Sequence, residues 1–461
     1  MSGISFVNPQ GLAQPVVDLP VRAPSRLARW RSFAATHWLA VPALAFIVHF
    51  LIIQVVATAA FTHGQLTASY LTSRSRAGVG RPVDGRLGHF IQPLDRWDGI
   101  WYIRAATSGL DYRGNIQFER FGNVRDTLWP LLPWVMKAGA YLPGATPALV
   151  GYLFVNICFF VALAALYRLI AQEFDTRIAR RSVWCLALLP TAFFFQTIST
   201  EAPFLCFAAL AFLAARNDRW FLAGLFGLLA ALTQSHGVLL ILPLLVLGIS
   251  EIRAGRRRWT PRLAFLLLPL IGPLIYLNAW HKAGYDWRLL LTIQEKQFAL
   301  GAPPWKSIAC AVNGCSYQRN INGNSYQQGI TGTEWSWARQ LLDHPGWNTI
   351  ADQSWRHDLA LSGSLDLVIT AGCLLLAVAG LFWLPRWMKV YTLTLLIAVL
   401  VRTPFEHPLD GMARFSLLLF PLAIVLAKLL DERLTRTIAC LVSVALLIGL
   451  TAQFANWYWV S

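Results

Sequence analysis

Recurrent apolar runs, most of them fifteen to twenty-five residues long, constrain this chain more than any other feature. They stand at roughly 38–60, 148–170, 183–199, 202–216, 220–235, 237–250, 262–281, 359–383, 387–401, 415–430 and 436–456. A backbone crossing ~30 Å of hydrocarbon must satisfy its own N–H and C=O groups, and predominantly apolar runs of this kind do so as α-helices. A large soluble core is excluded by charge. Only 13% of the 461 residues are charged and 56% are apolar, whereas a soluble domain carries roughly 25% charged residues. The expected fold is an all-α polytopic membrane protein with about eleven transmembrane helices. Several runs reach only about fifteen residues, short for a full crossing, and are expected to tilt, re-enter or pack among neighbours.

The formal net charge is +16, and its distribution argues for topology rather than nucleic acid. Arginines gather between the apolar runs: Arg22, Arg26, Arg29 and Arg31, then Arg177, Arg180 and Arg181, then Arg216 and Arg219. Further clusters are Arg253, Arg256, Arg257 and Arg258, then Arg386 with Lys389, and Lys428 with Arg433 and Arg436. Placed on one side, they satisfy the positive-inside rule, with membrane lipid headgroups as a secondary, unspecific partner. Residues 1–36 are polar and rich in Pro and Arg, without the short apolar stretch and small-residue cleavage site of a signal peptide. They read as a disordered cytoplasmic tail ahead of a membrane domain over 37–461. Two long segments, about 61–147 and 282–358, then fall outside, with a third short one at 402–414 holding Glu406, His407 and Asp410. Cys158, Cys185, Cys206, Cys373 and Cys440 lie in apolar runs as packing residues. Cys310 and Cys315 sit close together in the second outer segment, a fair setting for a small-loop disulfide.

Ionisable groups are retained near membrane depth mainly where they face a cavity and work. The candidates gather at what the Arg clusters make the outer ends of the helices. Asp98 stands in Arg96-Trp97-Asp98-Gly99-Ile100-Trp101-Tyr102, with Asp95 just before it. Glu201 follows Thr200 in a turn between two apolar runs, His236 lies in Gln234-Ser235-His236-Gly237, and Arg414 opens the run after 413. A carboxylate facing a cation across a lipid-accessible cavity suits transfer from a lipid-phosphate donor. The acid takes a proton from an acceptor hydroxyl, and arginine holds the phosphate through paired, charge-assisted hydrogen bonds. Plainer readings stay open: an interfacial belt for Trp97, Trp101 and Tyr102, snorkelling for Arg414, a polar turn for His236, and pairing of Asp95 with Arg96 or Arg104. A divalent metal on Asp95, Asp98 and Glu201 is compatible with the residue types, but no spacing demands it. Gly-rich phosphate loops, HExxH and paired CxxC motifs are absent, so soluble nucleotide-sugar binding has no support.

Taken together, Arg96 to Ala106 with Gly109, Trp129-Pro130-Leu131-Leu132-Pro133, Leu189 to Phe194 running into Thr200-Glu201, Arg219-Trp220 with Gly224 and Gly227, Gln294 with Pro304-Trp305, and Arg414-Phe415 with Phe420-Pro421 resemble the PIG-V type of mannosyltransferase. This is the family of the second GPI mannosyltransferase and its bacterial and archaeal relatives. The similarity runs over roughly 38–430, in the family's order. The resemblance implies a GT-C glycosyltransferase fold, a polyprenyl- or dolichyl-phosphate mannose donor, a glycolipid or glycan acceptor, and inversion at the anomeric carbon. It implies Asp98 as the base, Glu201 as a second acid and Arg414 as a contact for the donor phosphate. Arg96, Trp97, Arg104 and His236 are further substrate-binding candidates on their residue types, and no cofactor is certain. One departure stands out. Where relatives show Thr-Arg before a Gly, this chain has Thr233-Gln234-Ser235-His236-Gly237, and the first outer segment carries an insert over 69–89. Transfer of glucose or a pentose is the rival within the class; a lipid or solute transporter and a non-catalytic membrane scaffold are the rivals outside it. The Arg-rich, Lys-poor composition points to a bacterial cell membrane rather than the endoplasmic reticulum.

Overall fold

The computed structural model describes residues 38–63, 86–109, 128–256, 258–282, 288, 303–313, 315–321, 324–330, 355–401, 409 and 411–456. The expected tail, Arg402, Glu406, His407 and Asp410 lie outside the described residues. The chain divides into a short unit, Met1–Val41, and a unit Pro42–Ser461 that carries the architecture below.

In chain order the helices are α1 (Ala40–His63), α2 (Arg86–Ile91), α3 (Asp98–Ser108), α4 (Leu131–Gly139), α5 (Pro147–Glu173), α6 (Thr176–Ala187), α7 (Glu201–Arg216), α8 (Trp220–Thr233), α9 (Ile241–Arg253), α10 (Ile271–Lys282), α11 (Pro304–Asn313), α12 (Trp355–Trp383), α13 (Arg386–Leu400), α14 (Met412–Phe415), α15 (Phe420–Leu429) and α16 (Arg433–Ala455). Short 3₁₀ turns over Ala192–Phe195 and Ser235–Leu240 lead into α7 and α9. The ends follow from local chemistry. Thr146 caps α5 by accepting from the Leu149 N–H, with Pro147 opening the first turn, and Asp175 caps α6 through the Ile178 N–H.

Six described helices are long and apolar enough to cross a membrane: Ala40–Phe61, Pro147–Glu173, Ser235–Arg253, Pro261–Lys282, Leu365–Trp383 and Arg433–Ala455. A seventh span exists if Met412–Leu418 and Phe420–Leu429, bent by 81°, count as one. These are spans by length and composition among the described residues, and two of the other expected runs take a different local form. The run 183–199 is broken after Ala187, with Pro190 close behind, and coils into a 3₁₀ turn instead of continuing. Helix α7, at 16 residues, extends only about 24 Å at 1.5 Å per residue. It is enclosed by protein: Phe204, Phe212, Ala208 and Ala211 are all fully buried. The architecture is all-helical as expected, with one short antiparallel hairpin between α11 and α12, β1 (Cys315–Ile321) with β2 (Asn324–Ile330). Cys310, at the end of α11, is disulfide-bonded; the Cys315 side chain lies outside the described residues.

Polar side chains lock the two ends of the bundle differently. At one end, Arg216 on α7 bridges Glu173 at the end of α5 (2.9 Å) and Glu251 near the end of α9 (2.7 Å), and Arg256 adds a second bond to Glu251 (2.8 Å). Arg177 and Arg181 at the start of α6 both hold Asp431 in the turn between α15 and α16. These guanidiniums keep the exposed Asp431 carboxyl below the usual carboxylate range, Arg181 contributing most through its hydrogen bond. Between α1, α5 and the segment before α7 lies a buried amide–phenol network. The Tyr152 hydroxyl donates to Gln54 Oε1 (2.7 Å), and the Gln196 amide reaches Gln54 Oε1 (3.0 Å) and the Tyr152 oxygen (3.1 Å). Such paired groups fix the register of elements whose apolar surfaces alone would slide.

Candidate active site

Opposite the arginine end, three chain segments far apart in sequence converge on one guanidinium. Asp98 is the first residue of α3 and Glu201 the first residue of α7, where an acid complements the helix dipole. Arg414 comes from the four-residue helix α14. Its Nη1 donates to Asp98 Oδ2 at 2.5 Å, and its Nε and Nη2 donate to the same Glu201 oxygen, Oε1, at 3.0 and 2.8 Å. The guanidinium also lies over the Phe194 ring, 5.3 Å from its centroid.

Local structure accounts for this convergence. The Ile198 N–H donates to the Leu94 carbonyl at 3.2 Å, so the approach to α7 pairs with the approach to α3. Gly99 lies flush against Ile198, where an added Cβ would meet Ile198 O at 3.4 Å. Just before Asp98, Trp97 has φ 50° and ψ −113°, the first-corner conformation of a type II′ turn that glycine normally occupies. A bulky residue there stores strain of roughly 1–3 kcal/mol. The Gly99 N–H closes this turn onto the Arg96 carbonyl at 2.9 Å.

The three charges differ in access and in satisfaction. The Asp98 side chain is 36% exposed and that of Arg414 17%, whereas Glu201 is fully enclosed. Glu201 Oε2 is buried and finds no hydrogen-bond partner among the described residues. Arg414 directs three of its five N–H donors to carboxylates, which leaves two for an oxyanion.

Behind the triad, Tyr102, one turn along α3 from Asp98, hydrogen-bonds Thr200. Gln234 donates its amide to Thr200 Oγ1 at 2.7 Å. Burial holds the Tyr102 hydroxyl above its ordinary range, and the charges of Asp98 and Glu201 push it the same way against the Thr200 bond. It therefore stays a neutral hydrogen-bonding group. The Gln of the unusual Thr233-Gln234 segment thus supports the residue preceding Glu201. Sequence reasoning missed the roles of Tyr102 and Gln234; the one-turn spacing of Tyr102 from Asp98 was the available signal.

The remaining expected site residues fall around this centre. His236 is buried with its ring 5.1 Å from that of Phe415, the neighbour of Arg414. Arg96 is buried with its guanidinium over the Phe61 ring of α1 (5.2 Å), and Arg104 lies over Trp101 of its own helix (5.4 Å). Trp97 forms the corner next to Asp98, and Asp95 is buried at the end of a 3₁₀ turn. The cation between Asp98 and Glu201 is a guanidinium, and the described residues contain no group of three or more His, Cys, Asp or Glu side chains placed to hold a metal ion.

Residues 129–279 match the family model for dolichyl-phosphate-mannose-protein mannosyltransferase. That stretch carries Glu201, Gln234 and His236 and leaves Asp98 and Arg414 outside. No curated protein matches the chain in sequence. Two solved structures are similar over 92% of the chain. One is ArnT from Cupriavidus metallidurans bound to undecaprenyl phosphate, with 13% identity, a TM-score of 0.47 and 77% of that chain covered. The other is the archaeal oligosaccharyltransferase AglB from Archaeoglobus fulgidus in complex with an inhibitory peptide and a dolichol-phosphate, with 12% identity, a TM-score of 0.40 and 56% covered.

Proposed function

We propose that this multi-pass membrane protein is a GT-C glycosyltransferase. In this reading it moves a hexose from a polyprenyl-phosphate carrier to a hydroxyl of a glycolipid or glycan on the extracytoplasmic side. The observation that carries the reading is the pair of carboxylates sharing Arg414, one of them accessible and one enclosed. The match of residues 129–279 to a family that uses a lipid-phosphate sugar supports it. Mannose, and the PIG-V type within the class, are the finer reading supported by the sequence motifs; the bacterial cell membrane is the setting favoured by composition.

Asp98, the more exposed acid, is the general base, and such a group contributes ~10²- to 10⁴-fold. It takes the proton from the acceptor hydroxyl as that oxygen bonds to the anomeric carbon. The bond from that carbon to the phosphate oxygen breaks on the opposite face, so the configuration inverts. The electron pair leaves with the polyprenyl phosphate, whose new charge meets the two remaining N–H donors of Arg414. Glu201, enclosed and bonded twice to Arg414, holds the guanidinium in plane.

Purified protein given polyprenyl-phosphate [14C]mannose and a membrane lipid extract should form a labelled product. Asp98→Asn should lower the rate by at least ~10²-fold with expression and thermal unfolding unchanged. Movement of lipid across the bilayer without a new glycosidic bond would identify a transporter instead. An unaltered Asp98→Asn phenotype together with a stable bound partner would identify a scaffold.

A further inference from the structure

The short helix that presents Arg414 has a construction that involves a third acid. Its N-cap, Gly411, adopts φ 87°, and no side chain caps the helix from within. A side chain could not easily be added there. Any Cβ on residue 411 would lie 2.7 Å from the Phe415 ring, and the left-handed conformation already disfavours one. Two residues earlier, Leu409 is also left-handed, at φ 70°. A four-residue helix with an uncapped start and a strained approach has little reason of its own to hold one orientation.

The missing acceptor arrives from another helix. Asp366, fully buried near the start of the Leu365–Trp383 span, accepts the Ala413 N–H at 2.8 Å through Oδ1. Ala413 is the second residue of α14, one of the two positions whose N–H an N-cap side chain ordinarily satisfies, and Arg414 follows it directly. A carboxylate enclosed at this depth is costly to retain, so its placement one peptide away from Arg414 asks for a function.

We propose that Asp366 is a positioning residue for Arg414: its carboxylate caps α14 from α12 and so fixes the direction in which the guanidinium leaves the backbone. The inference deepens the glycosyltransferase reading and rests on it for the role of Arg414, but the capping contact can be tested without it. Misplacing a substrate-holding group by about 1 Å can cost ~10²-fold in rate, and that sets the scale of the expected effect.

The test compares Asp366→Asn, which keeps an acceptor oxygen, with Asp366→Leu, which does not, each measured per folded protein in detergent. Asp366→Leu should lower kcat/KM for the polyprenyl-phosphate sugar by about tenfold to a hundredfold, with the KM for the lipid donor affected more than the KM for the acceptor. Asp366→Asn should stay within a few-fold of the unaltered chain, and Asp366→Leu should add nothing further in an Arg414→Ala background. Equal losses in the Asn and Leu variants, or no loss in Leu, would overturn the proposal. Hydrogen exchange of the 411–416 segment needs neither substrate nor product. Protection lost in Asp366→Leu and kept in Asp366→Asn supports the cap even if no sugar transfer is found, and equal protection in all three proteins overturns it. Should Asp366→Leu not accumulate, Asp366→Ser, too short to reach Ala413, gives the same comparison.

Discussion

At the scale of single residues, the site turns on how one guanidinium is shared. Glu201 is fully enclosed, so its charge is tolerable only while Arg414 faces it. Arg414→Met should therefore destabilise the protein by roughly 3–5 kcal/mol, the cost of stranding a buried partner. The double variant Glu201→Gln with Arg414→Met should recover most of that loss, because both charges are gone. Thermal unfolding of the two singles and the double decides it; additive losses would show that the pair does not interact as described. The three charged residues were legible in the sequence as candidates because each is an ionisable group beside an apolar run. Their direct contact was not, because it depends on Gly99 lying against Ile198 and on a left-handed Gly411. Asp366 carries the same signal within its own apolar run, but nothing in its neighbourhood resembles a motif. The type II′ corner at Trp97 has no sequence signal, as the residue there is the opposite of the glycine that conformation favours.

At the scale of elements, the glycines separate contacts that matter from surfaces that do not. On α8, a Cβ at Gly224 would fall 1.9 Å from the Phe265 carbonyl oxygen. No rotamer change relieves that contact, because the obstacle is backbone. Gly224→Ala should cost at least about 1–3 kcal/mol through overpacking. It should also loosen α8, which carries Gln234 and His236 toward the site. On α12, Gly372 has nothing within 4 Å of an added Cβ. Gly372→Ala should leave the fold intact and gain up to about 1 kcal/mol from helix propensity. Thermal unfolding of both variants checks the contrast, and similar behaviour would mean that α8 is not seated on residues 261–270. Element identity was largely readable from the apolar runs, whereas element count was not. Hydropathy reports whether a segment avoids water, and α7 avoids it enclosed by neighbouring protein rather than by lipid. The hairpin after α11 was hidden for a related reason, since its polar residues lack the apolar alternation that marks a half-buried strand.

At the scale of the whole molecule, α7 supplies the orientation. It begins at Glu201 in the carboxylate–arginine cluster and ends at Arg216 in the bridges to Glu173 and Glu251. Helix α5 runs the same way, from the turn after Leu142 down to Glu173. The basic residues Arg177, Arg181 and Arg256 therefore sit at the end away from Asp98. Basic residues flanking membrane helices stay on the cytosolic side, so the carboxylate–arginine cluster is expected to open outward, where a lipid-linked sugar would be presented. Single cysteines placed at Tyr141, 81% exposed beside the start of α5, and at Asn217, exposed just past the end of α7, would read this directly in a chain whose free cysteines Cys158, Cys185, Cys206, Cys373 and Cys440 are changed to serine. A membrane-impermeant maleimide should label Tyr141→Cys in intact cells and Asn217→Cys only after permeabilisation. The reverse pattern would put Asp98 in the cytosol and remove the basis for an extracytoplasmic sugar transfer. Labelling of both in intact cells would mean that α7 and its neighbours do not separate two compartments at all.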